Sequence, residues 1–280
     1  MKPRLPLSPL HIALRFSSRA WRAAAEDDLS GTAAQMTYYF MLALFPSLIL
    51  LVALIEMLPV ADSAASAAEW AGSLTAPLPE AVSDLLSDWL TQFAHSRPHG
   101  SIFLWVFVAL WAASRGVRGA RKGLNRVFRC PPRHNYFKAR AFDLVFTAAA
   151  LVIVGFAYLI LVGGAQLGHF IANYFSLGDS FHHFWSALRW PVVLCFLGGF
   201  LIATYRYLPG KQLPLRRQLA GALPALGGWI AIGLGFRYWL SWLGHFDELY
   251  GSLASFFILM VLLWLVSLFL LVGGKIAARK

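Results

Sequence analysis

Residues 110–128 read LWAASRGVRGARKGLNRVF, and they hold Arg115, Arg118, Arg121, Lys122 and Arg126 with no acid among them. Guanidinium and ammonium groups in this density suit one kind of chemistry, the holding of an anion such as a phosphate or carboxylate. Arg115, Arg118, Lys122, Arg126 and Arg129 recur at intervals of three or four, so they share one stripe if the segment is helical. Three readings follow: cations lying against acidic lipid headgroups, a nucleic-acid contact, or part of a path through a membrane. No stacking platform or nucleic-acid module accompanies the stripe, so no nucleic-acid partner is expected.

Other reactive residue types offer less. The chain has no HExxH zinc motif, no GxxxxGK[ST] phosphate loop and no GxSxG elbow. Glu26, Asp27 and Asp28 form one acidic triplet, followed by Ser30 and Gly31, which reads as the negative cap of a helix start. With only His11 and His134 near it, the triplet falls short of the convergent ligands a metal nuclease needs. The remaining histidines, His95, His99, His169, His182, His183 and His245, show no firm ligand spacing. Cys130 and Cys195 make neither a metal motif nor a disulfide framework. The expectation is a protein that is not an enzyme, with no metal and no cofactor.

The elements that must position the arginines come from composition. The 280 residues are 59% hydrophobic and 13% charged, against about 45–50% and about 25% in soluble domains. One globular core cannot absorb that excess, whereas a multi-span membrane protein needs it. Six segments qualify as spans: Ala34–Leu54, Ser101–Ala113, Leu144–Leu167, Trp190–Tyr205, Leu219–Phe236 and Tyr250–Gly274. The fold class expected is all-α, a polytopic bundle of six transmembrane helices with amphipathic interfacial helices, forming a single integral domain over residues 1–280.

Charge placement orients it. With the exceptions of Arg97, Arg189 and Arg237, every Lys and Arg falls in the N-terminal arm, the 115–140 stretch, the segment after the fourth span or the C-terminus. Those regions alternate across six spans, so both termini are expected in the cytoplasm. Residues 1–33 read as a cytoplasmic amphipathic arm, with Arg15, Arg19 and Arg22 on one face. Residues 115–140 read as a basic cytoplasmic loop held by anionic lipid. Residues 58–100 read as a long periplasmic loop, in which Val82, Leu85, Leu86, Trp89, Leu90 and Phe93 outline an amphipathic helix, either lying on the outer surface, within reach of envelope partners, or packed on the outer ends of the spans.

One detail singles out Arg115. Ser101–Ala113 would measure roughly 20 Å as a helix, short of the roughly 30 Å hydrocarbon core. Either the helix begins earlier, through His99 and Gly100, or Ser114, Arg115 and Arg118 reach membrane depth, where cations face a bundle interior or a wet cavity. The first span opens with Gln35, Thr37, Tyr38 and Tyr39 and contains Pro46, which removes a backbone donor. A cavity between spans one and two is one reading, and interhelical hydrogen bonds with an interfacial tyrosine belt are the other. Asp143, beside the basic stretch, should pair with an arginine. Pro191 opens the fourth span at a position that suits a helix start. Gly227, Ala231 and Gly235, and likewise Gly164 and Gly168, are spaced for close helix packing.

Four stretches resemble the YihY/BrkB family of bacterial inner-membrane proteins: AAQMTYYFMLALFPSLILLVAL (33–54), LWAASRGVRGARKGLNRVF (110–128), YRYLP (205–209) and LYGSLASFFILMVLLWLVSLFLLVGGKIA (249–277). They cover most of the chain in the family's order. The resemblance implies six spans in an inner membrane and an association with virulence, envelope function and transport. A ribonuclease BN label once attached to the family finds no support in these residues. Ser114, Arg115, Gly116 and Asn125 match the second-span motif, and Tyr38, Tyr39 and Pro46 the first-span motif. The family's closing Gly-Ala-Glu-Leu-Asn is replaced by Gly273-Gly274-Lys275-Ile276-Ala277, so no role is carried over for that acid. The expected site is therefore Arg115, Ser114, Arg118, Asn125, Gln35, Thr37, Tyr38 and Tyr39, with Pro46 and Gly116 as structural or hinge positions. The expected role is transport or lipid handling, with a non-catalytic envelope scaffold acting through residues 58–100 as the alternative and a ribonuclease ranked last.

Overall fold

A computed structural model describes residues 28–56, 102–131, 135–161, 179–242 and 252–278. Among the described residues the chain is helical, with no strand. The helices are α1 (Leu29–Glu56), α2 (Ile102–Phe128), α3 (Tyr136–Leu161), α4 (Asp179–Tyr207), α5 (Leu215–Trp242) and α6 (Ser252–Ala278). Four contain stretches long and apolar enough to cross a membrane: Tyr136–Ala157, Trp190–Tyr207, Leu215–Gly235 and Phe256–Ala278.

The helices begin and end where local chemistry dictates. The Asp28 carboxylate accepts the Gly31 N–H at 3.1 Å and caps α1, the role expected of that acid. Glu26 and Asp27 lie outside the described residues. At the other boundary, α2 closes with Cys130 N–H donating to Asn125 O at 3.1 Å and Arg129 N–H to Arg126 O at 3.2 Å. Arg129 has φ 49°, so this is a Schellman stop with an arginine where glycine is commoner. Pro131 follows and prevents the helix from resuming.

That stop lies well beyond the expected end of span two. The basic run is not a loop over 115–140. It continues α2 to Phe128, and α3 starts at Tyr136, eight residues before its apolar run. Arginine and lysine are good helix formers, and the glycines among them are packing sites. A Cβ on Gly116 would stand 3.0 Å from Ala43 Cβ, and one on Gly119 would stand 2.7 Å from Tyr39 Cβ. Gly123 faces Met36 in the same row. The row at 116, 119 and 123 lets α1 lie directly on α2.

Two further expectations need correction. Pro191 is inside α4 rather than at its start. It forfeits one N–H bond, a loss that spanning helices tolerate because neighbours and local adjustment re-satisfy the freed carbonyl. The α5 glycines that touch a neighbour are Gly221, against Gly273, and Gly228, against Phe269, both on α6. Gly227 and Gly235 have nothing within 4 Å of an added Cβ, and Ala231 is exposed. The fourfold spacing was real, but it lies on the outward side of α5. Gly164, Gly168, the loop at 58–100 and the arm up to residue 27 lie outside the described residues.

α2 rests on α1, α3 and α6, while α6 also rests on α1 and α5, and α4 lies between α3 and α5. The main buried cluster joins Leu29, Ala33 and Met36 from the start of α1, Leu124, Val127 and Phe128 from the end of α2, Leu201 and Tyr205 from the end of α4, Ala222 and Ala225 from early α5, and Leu270 and Leu271 from late α6. Starts of odd helices and ends of even helices thus meet at one end of the bundle, with Phe142 and Phe146 of α3 against them. The helices alternate in direction, and the basic residues of α2 and early α3 sit at that shared end. Polar ties brace it. Tyr205 OH donates to Leu270 O at 2.8 Å, and Trp264 Nε1 donates to Ser30 O at 3.3 Å.

Candidate functional site

The row of small residues on α2 buries one face of that helix and leaves another free. On the free face Trp111, Arg115 and Arg118 fall within one arc. Opposite them stand Tyr38, Tyr39 and Leu42 of α1. The first turns of α3 add Tyr136 and Arg140, and together these residues line a half-open cleft of about 400 Å³. Among the described residues no carboxylate lines it.

Each wall is held by a specific contact. Arg140 is 6% exposed, its guanidinium carbon lies 3.8 Å from the centre of the Trp111 ring, and Nη2 donates to Trp111 O at 3.1 Å. The same carbonyl accepts Ser114 Oγ–H at 2.7 Å. Cation–π stacking and the shared carbonyl therefore fix Trp111 and Arg140 as a unit. Nε and Nη1 of Arg140 have no hydrogen-bond partner. Arg118 stands 5.5 Å from the Tyr136 ring centre. Lys122 Nζ lies 5.5 Å from the Tyr39 ring centre and 3.5 Å from its hydroxyl. Tyr38, 62% exposed, packs edge-on to Tyr39 with ring centres 5.8 Å apart.

Beneath the cleft sits Asp143, with no exposed surface. Its Oδ2 accepts Arg121 Nη2 at 2.8 Å and lies 3.9 Å from Arg118 Nε, while Oδ1 has no partner. The expected Asp143–arginine pair is therefore present, and Arg121 holds it. Asp143 supplies one negative charge among Arg115, Arg118, Arg121, Lys122 and Arg140. Arg115 has no ion-pair partner among the described residues.

The structure divides the expected residues. Arg115, Arg118, Tyr38 and Tyr39 are brought together in the cleft. Ser114 supports its wall from behind. Thr37 is buried and donates to Ala33 O at 2.8 Å within α1. Gln35 is exposed on α1 and does not line the cleft. Asn125 is a brace: its Oδ1 accepts Gly210 N–H at 2.8 Å and Cys130 Sγ–H at 3.3 Å, tying the end of α2 to the α4–α5 connection. Gly116 is a packing position against Phe40 and Ala43. Pro46 lies inside α1, where it cannot donate to the carbonyl of Leu42, itself a cleft residue.

Trp111, Leu42, Tyr136 and Arg140 were missed as site residues. A signal existed for two of them. Trp111 precedes Arg115 by one helical turn, and Leu42 follows Tyr38 by one. Tyr136 and Arg140 enter through the early start of α3, in a stretch read as loop. Among the described residues, no group of three or more His, Cys, Asp or Glu could hold a metal ion.

A chain whose described elements are all helices, four of them with apolar stretches of spanning length, and whose basic residues gather at one end has the architecture of an integral membrane protein. The family described as virulence factor BrkB matches residues 20–279, and the chain belongs to that family. Relatives include the ribonuclease-like protein YfkH of Bacillus subtilis strain 168, 28% identical over 88% of this chain and 87% of its own length. A UPF0761 membrane protein of Aliivibrio salmonicida is 22% identical over 90% of this chain and 78% of its own length. Another, from Neisseria meningitidis serogroup B, is 25% identical over 91% of this chain and 61% of its own length. No solved structure matches the chain.

Proposed function

We propose that the protein handles an anionic headgroup or solute in the cleft between α1, α2 and α3, as part of transport or lipid movement at a bacterial inner membrane. In this reading α1 and α2 complete a six-span bundle with both termini in the cytoplasm, and the basic end lies among anionic headgroups. One observation carries it: three arginines and four aromatic rings share a cleft of about 400 Å³, with no acid among its described lining residues. That volume falls within the range of small-molecule sites, and the mix of apolar wall and a few convergent charges is what such sites use.

The protein is non-catalytic in this account. Asp28, the described member of the acidic triplet, is committed to capping α1 and lies 3.6 Å from Arg126. Nucleic acid is not a partner. Envelope proteins could meet residues 58–100, which lie outside the described residues.

The test uses purified protein in liposomes that carry a fluorescent anionic lipid and an impermeant quencher. Wild type should accelerate loss of inner-leaflet fluorescence, and Arg115→Ala should slow it. Acceleration undiminished in the variant would remove Arg115 from the path.

A further inference from the structure

The α2 face that lines the cleft does not end there. Toward the middle of the helix the stripe continues from Arg118 and Arg115 through Trp111 to Phe107 and Val108, all within about 100° of arc at 100° per residue. Phe107, Val108, Trp111 and Leu42 are all exposed large apolar side chains, and the Phe107 and Trp111 rings stand 6.1 Å apart. The cationic cleft thus opens along one side onto an apolar band about 10 Å long, counted from Arg115 to Val108. A solute with charge alone would leave that band unused.

The charge inside the cleft is also specific in amount. Arg115, Arg118 and Arg140 line it, and the buried Asp143 beneath pairs with Arg121 at 2.8 Å and with Arg118 at 3.9 Å, which leaves Arg115 and Arg140 with no ion-pair partner among the described residues. Arg140 is buried and keeps Nε and Nη1 unpartnered. A phosphodiester headgroup brings one charge and two free oxygens. A phosphomonoester brings close to two charges and three terminal oxygens above its second pKa, about 6. Two lining guanidinium groups without an acid, Arg115 and Arg140, with Arg118 beside them, match the second.

Resting on the anion-binding reading above, we infer that the cleft seats a lipid phosphomonoester. Its phosphate lies among Arg115, Arg118 and Arg140, and its acyl chain leaves along Leu42, Trp111 and Phe107. The aromatic walls then serve as the boundary between headgroup and chain, a position that tyrosine and tryptophan occupy well.

The test measures affinity at pH 8 and fixed salt for the full chain in a zwitterionic nanodisc. The probes are dioctanoyl phosphatidic acid, dioctanoyl phosphatidylglycerol and glycerol 3-phosphate. The phosphatidic acid should bind about tenfold more tightly than the other two, roughly the size of one charge-assisted hydrogen bond. Arg115→Gln, at an exposed site with no ion-pair partner among the described residues, should bring phosphatidic acid down to the level of phosphatidylglycerol. Equal affinity for the two lipids, both weakened by Arg115→Gln, would overturn the monoester assignment and leave the anion cleft standing. Glycerol 3-phosphate binding as tightly as phosphatidic acid would overturn the lipid assignment in favour of a soluble phosphate. Absence of binding by all three would overturn this inference and the anion-binding reading together.

Discussion

Two faces of α2 use their residues in opposite ways. One face presents Gly116, Gly119 and Gly123 to α1, with Leu124 and Val127 below them in the buried cluster. Its side chains are small or apolar, and the contact is close. The other face presents Trp111, Arg115 and Arg118 to an open cleft. There the side chains are large, and Arg115 has no ion-pair partner among the described residues. The first face gains stability from contact. The second leaves Arg115 without an ion pair among the described residues, a charge that contributes little to folding. The lesson is that a cationic helix in this setting is not uniform. Arg121 and Arg126 sit close to acids, and Arg115 is left over.

The largest break in that contrast comes from the buried carboxylate beneath the cleft. Asp143→Ala should destabilise the protein by about 3 kcal/mol, since it strands Arg121 and weakens the hold on Arg118. Thermal unfolding in detergent reads this out, and an unchanged midpoint would mean the pair is not structural. The close face comes next. Gly119→Ala puts a methyl group 2.7 Å from Tyr39 Cβ and should cost about 1–3 kcal/mol, as overpacking usually does. Because Tyr39 lines the cleft, ligand affinity should fall alongside stability. A smaller loss, about 1 kcal/mol, is expected for Asn125→Ala, which removes the acceptor for Gly210 N–H. Affinity should then be unchanged, because Asn125 is a brace and not part of the cleft. The smallest effect on stability belongs to Arg115→Gln, within about 0.5 kcal/mol of wild type, as for other exposed and unpaired side chains.

Much of this was legible before any coordinates. Each of the six expected apolar segments contains or overlaps one of the six helices, though their ends differ, and Arg115, Arg118, Tyr38 and Tyr39 do meet. The cationic stripe and the short second span pointed to Arg115 and Arg118, and the polar opening of span one with the family motif pointed to Tyr38 and Tyr39; they meet because α1 and α2 are antiparallel and in close contact. The rest was hidden for physical reasons. A run of cations resembles a loop in a hydropathy reading although it propagates a helix well, so the end of α2 and the start of α3 were placed too early and too late. Tyr136 and Arg140 were lost with them. Fourfold spacing of small residues at 227, 231 and 235 marks a possible contact face but not which neighbour, if any, will use it. Gly221 and Gly228 make the contact because α6 crosses there with Gly273 and Phe269. Asn125 matched a family motif, yet its contacts are with Gly210 and Cys130, which no spacing in the sequence reveals.

The central claim is that the arginines of α2 are unequal. Its most direct test compares Arg115→Gln with Arg126→Gln in equilibrium binding of dioctanoyl phosphatidic acid at fixed salt. Both remove one exposed charge from the same helix, so nonspecific attraction falls alike. Arg115→Gln should weaken binding about tenfold, the loss of one charge-assisted hydrogen bond. Arg126→Gln, whose charge lies 3.6 Å from the Asp28 carboxylate at an exposed pair, should change it by less than about twofold, as expected of surface ion pairs. Equal losses in the two variants would contradict the account and reduce the cationic stripe to a general lipid anchor.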